Sequence, residues 1–276
     1  MKNHTKLTTR EVGRFRRIVY RHYRHHGRDL PWRQTDNPYE ILVSEIMLQQ
    51  TQVSRVVEKY ETFIRTFPDI GSLAGASLRA VLTAWQGLGY NRRALSLKNI
   101  AKGVMSDYSG QIPSTVSLLT LLPGIGTATA HAICAFAYNQ PVVFIETNIR
   151  TVFIYHFFDE RKNVHDGEIR PFVAQKLDRK NPRQWYNALM DYGVALKKAH
   201  RNPGRRSASH RKQAPFEGSA RQVRGTVLRV VLKRTPLSFD KLVASVPYDN
   251  ETIRQSVIQL EREGLVIING KNITVP

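Results

Sequence analysis

Through its first 200 residues this chain of 276 hardly ever alternates apolar and polar side chains as a strand must. Apolar residues recur instead at helical spacing between proline and glycine breaks. Residues 9 to 27 place Val12, Phe15, Ile18, Val19 and Tyr23 on one face of a basic amphipathic helix. Further helices are predicted near 38–54, 56–67, 78–85, 91–107, 115–121, 127–138, 146–158, 168–179 and 184–199. Breaks such as Pro68, Gly87, Gly89, Pro123, Gly124 and Pro182 separate them. From about 218 the pattern changes: helices near 220–233, 238–245 and 249–263 precede two β-rich runs split by Asn269-Gly270, a strong hairpin signal. Three helices and a terminal hairpin predict a winged-helix module.

Forty-two Lys and Arg against twenty-two Asp and Glu leave a formal charge of +20, so a polyanionic partner is expected. Nucleic acid leads, while an anionic membrane or ribosome surface fits charge alone equally well. Lys197 to Gln213 holds seven Lys or Arg, two His and no acid, either a solvated linker or a stretch laid along a phosphate backbone. The single cysteine, Cys134, lies in a small apolar run and reads as a packed core thiol. One cysteine excludes an intrachain disulfide framework, a four-cysteine iron–sulfur cluster and a cysteine-rich zinc site. Met1 to Lys6 carry charge with no apolar core behind them, and no apolar stretch is long enough for a bilayer, so a soluble intracellular protein is expected.

Two segments carry chemistry. Glu45 stands in a helix that is apolar almost all round, beside Ile41, Leu42 and Leu48, with Asn37 as N-cap and Pro38 in the first turn. Burial predicts a carboxyl that holds its proton more readily than a solvated one, although a glutamate paired to an arginine or half exposed at a domain edge reads the same segment equally well. The second is Leu122-Pro123-Gly124-Ile125-Gly126-Thr127-Ala128-Thr129. Its two glycines permit a tight interhelical turn and let backbone N–H groups of Gly124, Gly126, Thr127 and Thr129 approach a phosphate at the next helix start.

Leu30-Pro31-Trp32-Arg33, Ser44 to Gln52, Trp85-Gln86-Gly87-Leu88-Gly89-Tyr90, the turn at 122–130 and Glu146-Thr147-Asn148-Ile149-Arg150 occur in the order seen in helix-hairpin-helix DNA glycosylases. Over residues 12 to 196 the chain most resembles A/G-specific adenine DNA glycosylases, with endonuclease III more distant. The resemblance implies an all-α, two-lobed glycosylase fold with the small winged-helix module added. One lobe would comprise residues 1–27 with 139–213 and the other 28–138, with the module at 218–276. It implies base flipping and hydrolysis of an N-glycosidic bond in double-stranded DNA. A monomer in the cytoplasmic nucleoid or the nucleus is expected, without a membrane and, because the family's cysteines are missing, without cofactor or metal. Glu45 matches the family's proton donor, and Glu146 falls where the family has an aspartate that steadies the sugar cation. Asn148 matches an asparagine that orders the site, Arg28 an arginine that orients the catalytic glutamate. Gln49 and Gln50 fall at the wedge position and Tyr90 at an aromatic inserted near the opposing base. The bland alternatives are exposed helical amides and a core tyrosine.

The match breaks in places. Glu146 is one methylene longer than aspartate, so its carboxylate must sit differently or fail. Ala128 stands where bifunctional relatives carry a lysine, which implies a monofunctional enzyme. Lys197 and the basic run replace the iron–sulfur loop after Asp191-Tyr192-Gly193, and Asn91 replaces a second tyrosine. Adenine excision is the leading expectation. Uracil, thymine opposite guanine, a deaminated purine, or DNA binding without catalysis are alternatives. For the tail, Arg221, Arg224, Arg229, Lys233 and Arg254 leave both major-groove insertion and packing against the helical lobe open.

Overall fold

The computed structural model describes residues 7–211 and 215–276. The expectations at Met1 to Lys6, and the end of the basic run at Lys212 and Gln213, lie outside these residues. In chain order the helices are α1 (Thr9–His26), α2 (Pro38–Leu48), α3 (Val53–Thr66), α4 (Ile70–Gly75), α5 (Leu78–Trp85), α6 (Arg92–Asp107), α7 (Val116–Leu119) and α8 (Thr127–Tyr138). They continue with α9 (Thr147–Phe157), α10 (Asp166–Lys176), α11 (Pro182–Ala199), α12 (Ala220–Lys233), α13 (Phe239–Val243) and α14 (Asn250–Arg262). The strands β1 (Leu237–Ser238), β2 (Ile267–Asn269) and β3 (Asn272–Thr274) all fall in the tail. Two compact units result: Met1–Ile41, Ser114–Thr120 and Ile125–Lys212 form the first, Leu42–Pro113, Leu121–Gly124 and Gln213–Pro276 the second.

In the first unit α1 opens on a capping box, Thr8 receiving the Glu11 amide while the Glu11 carboxylate receives the Thr8 N–H at 2.7 Å. Its buried face, Phe15 and Val19, meets an aromatic cluster. The Phe15 ring lies 5.4 Å from Phe153, 5.3 Å from Phe157 and 5.2 Å from His156. Helix α11 crosses the start of α9 at a point that only glycine permits: a Cβ on Gly193 would stand 2.5 Å from the Asn148 carbonyl oxygen. Two basic groups are drawn into this apolar region. Burial pushes the Lys176 pKa down to about 8, and its ammonium donates to the Glu11 carbonyl and lies 5.0 Å from the Phe15 ring centre. Burial, helped by Lys176, pushes His156 down to about 4.

In the second unit α3, α5 and α6 bury Val56, Phe63, Leu82, Trp85, Leu97 and Ala101. The helix expected over 38–54 stops at Leu48, and a new one begins at Val53. The cause is Arg93, 44 to 47 positions further along the chain, a separation that local periodicity never sees. Its Nη1 donates to the carbonyls of Ile46 at 2.9 Å, Met47 at 2.8 Å and Gln49 at 2.5 Å. Its Nη2 donates to Thr51 Oγ1 at 2.9 Å, Leu88 O at 3.2 Å and Gly89 O at 3.0 Å. A cation on the last carbonyls of α2 satisfies acceptors that a helix end leaves open and opposes the negative end of its dipole. Burial lowers the Arg93 pKa to about 10, and the Trp85 ring 5.3 Å away covers the guanidinium.

The tail runs α12, β1, α13, α14, β2, β3 with sheet order β1-β3-β2, so the three helices and the terminal hairpin expected from the sequence are present. Asn269 pairs with Asn272 across the turn at Gly270, whose φ of 59° the Asn-Gly signal anticipates. Strand β1 and helix α4, two and six residues long, are too short for periodicity to reveal. The Arg79 guanidinium on α5 donates to the Leu232 carbonyl at 3.1 Å, which fastens α12 to that helix.

Arg93 and His156, both buried basic groups, each lead to a measurable outcome. Arg93→Met should lower the unfolding free energy by about 3 kcal/mol, because several buried acceptors lose their donor at once; Arg93→Lys should recover only part, lacking the planar fork. Chemical denaturation of all three proteins checks this. Because His156 protonates near 4 when folded and near 6.5 when unfolded, the unfolded chain binds more protons in that window and stability falls as pH drops through it. The ring faces Lys176, Tyr192, Tyr155 and Phe15, and His156→Phe should flatten the dependence of the thermal midpoint between pH 6.5 and 4.

Candidate functional site

Helix α2 begins as the sequence suggests, the Tyr39 amide donating to Asn37 Oδ1 at 2.9 Å. Its side chains Ile41, Leu42, Val43, Ile46 and Met47 are at most 2% exposed. Glu45 is half-buried in their company, a carboxyl on a helix with almost no polar face. After Leu48 the chain turns, and the two amides diverge from the helical alternative. Gln50 is exposed and adopts a left-handed φ of 55°.

Tyr90 does the same, with φ 47° and 37% of its surface exposed, which corrects the reading of it as a core residue. A left-handed backbone costs a residue with a Cβ about 1–2 kcal/mol, and such strain persists where surrounding contacts over-determine it. Arg93 is that determinant on both sides, gripping Gln49 O before Gln50 and Gly89 O before Tyr90. Gln49, Gln50, Tyr90, Arg93 and Gly124 line one cleft of about 1110 Å³ within the second unit.

The first unit carries the other carboxylate. Glu146 is the N-cap of α9: its Oε1 accepts from the Asn148 amide at 2.7 Å and the Ile149 amide at 2.8 Å. Its Oε2 accepts from Asn148 Nδ2 at 3.2 Å. The extra methylene lets the carboxylate fold back onto its own helix start, where N–H groups and the positive dipole end favour an anion. Asn148 is held from the far side, its Oδ1 accepting from Lys197 Nζ at 2.7 Å. Burial lowers the Lys197 pKa, with Glu146 opposing and Arg150 adding to the shift. Sequence reading singled out Lys197 only as a cysteine replacement; one lysine in a basic run gives no signal of such a partner.

Arg28 is engaged with Asp191, its Nε 2.7 Å and its backbone N–H 2.8 Å from the carboxylate oxygens. Arg33 makes a bidentate pair with the same group at 2.8 and 2.9 Å. Burial acts to raise the Asp191 pKa, but the hydrogen bonds and charges of Arg33 and Arg28 outweigh it and hold the carboxyl below the usual range. The hairpin has the form expected. Gly124 has φ 83°, and a Cβ there would collide with Ser96 at 2.9 Å. Gly126 caps α8, and a Cβ on it would meet nothing within 4 Å, so the start of that helix is open to an approaching anion. Thr127 and Ala128 are exposed and Thr129 is half-buried.

Cys134 is buried, and burial pushes its thiol up to about 11, the setting of an inert core residue. Among the described residues no group of three or more His, Cys, Asp or Glu could hold a metal ion, and no helix is long and apolar enough to cross a membrane.

The HhH-GPD superfamily of base excision DNA repair proteins matches residues 43–170. The chain is 35% identical over 238 residues to the adenine DNA glycosylase of Mycolicibacterium smegmatis, covering 77% of this chain and 78% of that one. It is 34% identical over 187 residues to the adenine DNA glycosylase of Buchnera aphidicola, covering 66% of this chain and 52% of the relative. With that of Mycobacterium tuberculosis it shares 43% over 131 residues, 47% of this chain and 43% of the other. The chain thus spans about half the length of these last two relatives. Among solved structures, a thermostable thymine-DNA glycosylase superposes with a TM-score of 0.62 at 24% identity, covering 68% of this chain and 88% of that one. A non-covalent endonuclease III–DNA complex superposes at 0.54 with 15% identity, covering 76% and 91%. At these identities the two structures speak to the fold alone. With hairpin, helical architecture and a relative matched over more than three quarters of both chains, the chain belongs to the HhH-GPD superfamily of base excision DNA repair proteins.

Proposed function

We propose that the protein is a monofunctional DNA glycosylase that flips a mispaired adenine out of double-stranded DNA and hydrolyses its N-glycosidic bond. The observation that carries this reading is the 35% identity to an adenine DNA glycosylase over 78% of that relative's length. The contacts that join Glu146, Asn148 and Lys197 support it.

In the reaction the bond between the anomeric carbon and the base breaks, and its electron pair leaves with the base. Glu45 supplies the proton that neutralises the departing base, from a helix whose other side chains exclude water. The sugar is left with oxocarbenium character, and water adds at the anomeric carbon while its spare proton passes to the Glu45 carboxylate, which restores the acid. The Glu146 carboxylate steadies that cation. Asn148, bonded to Glu146 on one side and to Lys197 on the other, holds the carboxylate in one orientation. Gln49, Gln50 and Tyr90 fill the stack that the flipped nucleotide leaves, and the amides at Gly124, Gly126, Thr127 and Thr129 hold a backbone phosphate. Arg28 orders its end of the site through Asp191. Ala128 offers no amine for a Schiff base, so release of the base is not followed by strand cleavage. The protein acts as a monomer on nucleoid or nuclear DNA.

Duplexes carrying a single adenine opposite guanine or oxidised guanine, beside uracil, thymine–guanine and deaminated-purine duplexes, test the assignment. Adenine should be released, with no covalent complex trapped by borohydride. Glu45→Gln should slow release by about 10²–10⁴-fold while leaving salt-dependent binding intact. Wild-type protein that binds these duplexes and releases no base from any of them would overturn the reading. Glu146→Ala should also stop release and cost about 1 kcal/mol of stability as a lost N-cap, whereas Glu146→Asp should keep the cap and release within about tenfold of wild type.

A further inference from the structure

The tail holds two helices that could meet a polyanion, and their charges differ. Helix α14 occupies the recognition position of a winged helix, yet it carries Arg254 and Arg262 against Glu251 and Glu261. Its N-terminus, the end that enters a major groove in such modules, is capped by Asp249 and followed by Glu251. The Arg254 guanidinium is spent over the Phe239 ring, 5.0 Å from its centre. Two carboxylates at the leading end of a helix repel the phosphates they would pass.

Helix α12 carries Arg221, Arg224, Arg229 and Lys233 and no acid. Three of these, Arg221, Arg224 and Arg229, line the cleft of about 1110 Å³ that also holds Gln50 and Tyr90. Arg224 is paired with Glu263 at 2.8 Å. Arg221 reaches across to the facing loop, donating to the Tyr90 hydroxyl at 2.9 Å with its guanidinium 5.9 Å from the ring centre. Arg229 is exposed, its Nη2 donating to the Thr226 hydroxyl at 3.3 Å. Arg55, Lys59 and Arg92 line the same cleft. Phe216, 62% exposed, stands at the entrance to α12 and lines the same cleft.

We infer that α12, and not α14, is the DNA-contacting helix of the C-terminal module, and that it forms one wall of a groove for an unstacked segment of DNA strand. Cations lining the cleft follow the phosphates, and the exposed rings of Tyr90 and Phe216 offer faces on which unpaired bases stack, the combination that grips single strands without reading sequence. Arg221 ties the module to the loop that presents Tyr90, so the module acts as part of the helical lobe's cleft. The identity of the polyanion as DNA rests on the glycosylase reading; the choice of helix rests on charge and lining alone.

The test uses the full chain and fluorescent 24-mers, one fully paired and one with a three-nucleotide unpaired bubble, titrated from 50 to 200 mM salt. Arg221→Ala with Arg229→Ala should weaken bubble binding by at least tenfold and reduce the slope of log K against log salt by about two. Phe216→Ala should weaken bubble binding about tenfold and plain-duplex binding far less, because stacking needs an open base. Arg254→Ala should leave both affinities and the slope unchanged. Circular dichroism confirms that each variant, substituted at the surface, folds as the wild type does.

A slope that falls with Arg254→Ala and not with the α12 pair would overturn the inference in favour of α14. Unchanged binding in every variant would overturn it too, as would wild-type protein that binds neither duplex. Base release, scored in the same samples, separates this from the glycosylase reading. Bubble binding through α12 without release leaves the inference standing and removes the enzyme; release with unaltered binding by the α12 variants does the reverse.

Discussion

A single buried guanidinium organises the second unit. Arg93 sits where six acceptors from two separated chain segments need donors, three at the end of α2 and its turn, and three around Thr51, Leu88 and Gly89. Burying a cation is costly unless its hydrogen bonds are made, and the fork geometry of arginine reaches both segments at once. Remove that constraint and α2 has no reason to stop at Leu48, since the following Gln-Gln-Thr-Gln run is compatible with helix. The left-handed turns at Gln50 and Tyr90 are therefore one feature seen twice. Each follows a carbonyl held by the same side chain.

The first unit solves its positioning problem by removing a side chain. Gly193 lets α11 approach the start of α9 closely enough for Lys197, one turn further along, to reach Asn148. Asn148 then presents its amide nitrogen to Glu146. The order of donors is forced: an ammonium can only donate, so the Asn148 oxygen must face Lys197 and the nitrogen must face the carboxylate. Lys197 thus fixes which end of the Asn148 amide meets Glu146. A longer acid at a position where aspartate caps well is accommodated because two backbone amides and one fixed side-chain amide receive it.

How much of this could be read from the chain follows from the range of each signal. Helix starts at Thr8, Asn37 and Ser219 are local, a capping residue beside the amides it binds, and they emerge where periodicity places them. The Gly124 turn and the Asn269-Gly270 hairpin are equally local, because a positive φ leaves its mark on the residue that adopts it. What stayed hidden depends on partners far along the chain. The end of α2 is set by a residue some 45 positions later, and the role of Lys197 by one 49 positions earlier. Arg93 and Lys197 look in sequence like any two cations among forty-two. Tyr90 was ambiguous for a related reason: a tyrosine after a glycine-rich turn is buried or exposed according to whether something pins that turn, and the pin is Arg93.

The tail extends the same reasoning to charge. Three helices and a hairpin, read as a winged helix, would make the third helix the DNA reader, but topology only offers a surface, and electrostatics decides whether a polyanion accepts it. With acids at the leading end of α14 and none on α12, the module's field points toward the cleft. Arg79 on α5 already holds the end of α12 through the Leu232 carbonyl, and Arg221 holds its beginning through Tyr90. A helix fastened at both ends to the lobe beside it is poorly arranged for independent groove reading. It is well arranged to complete a wall that the lobe alone leaves open.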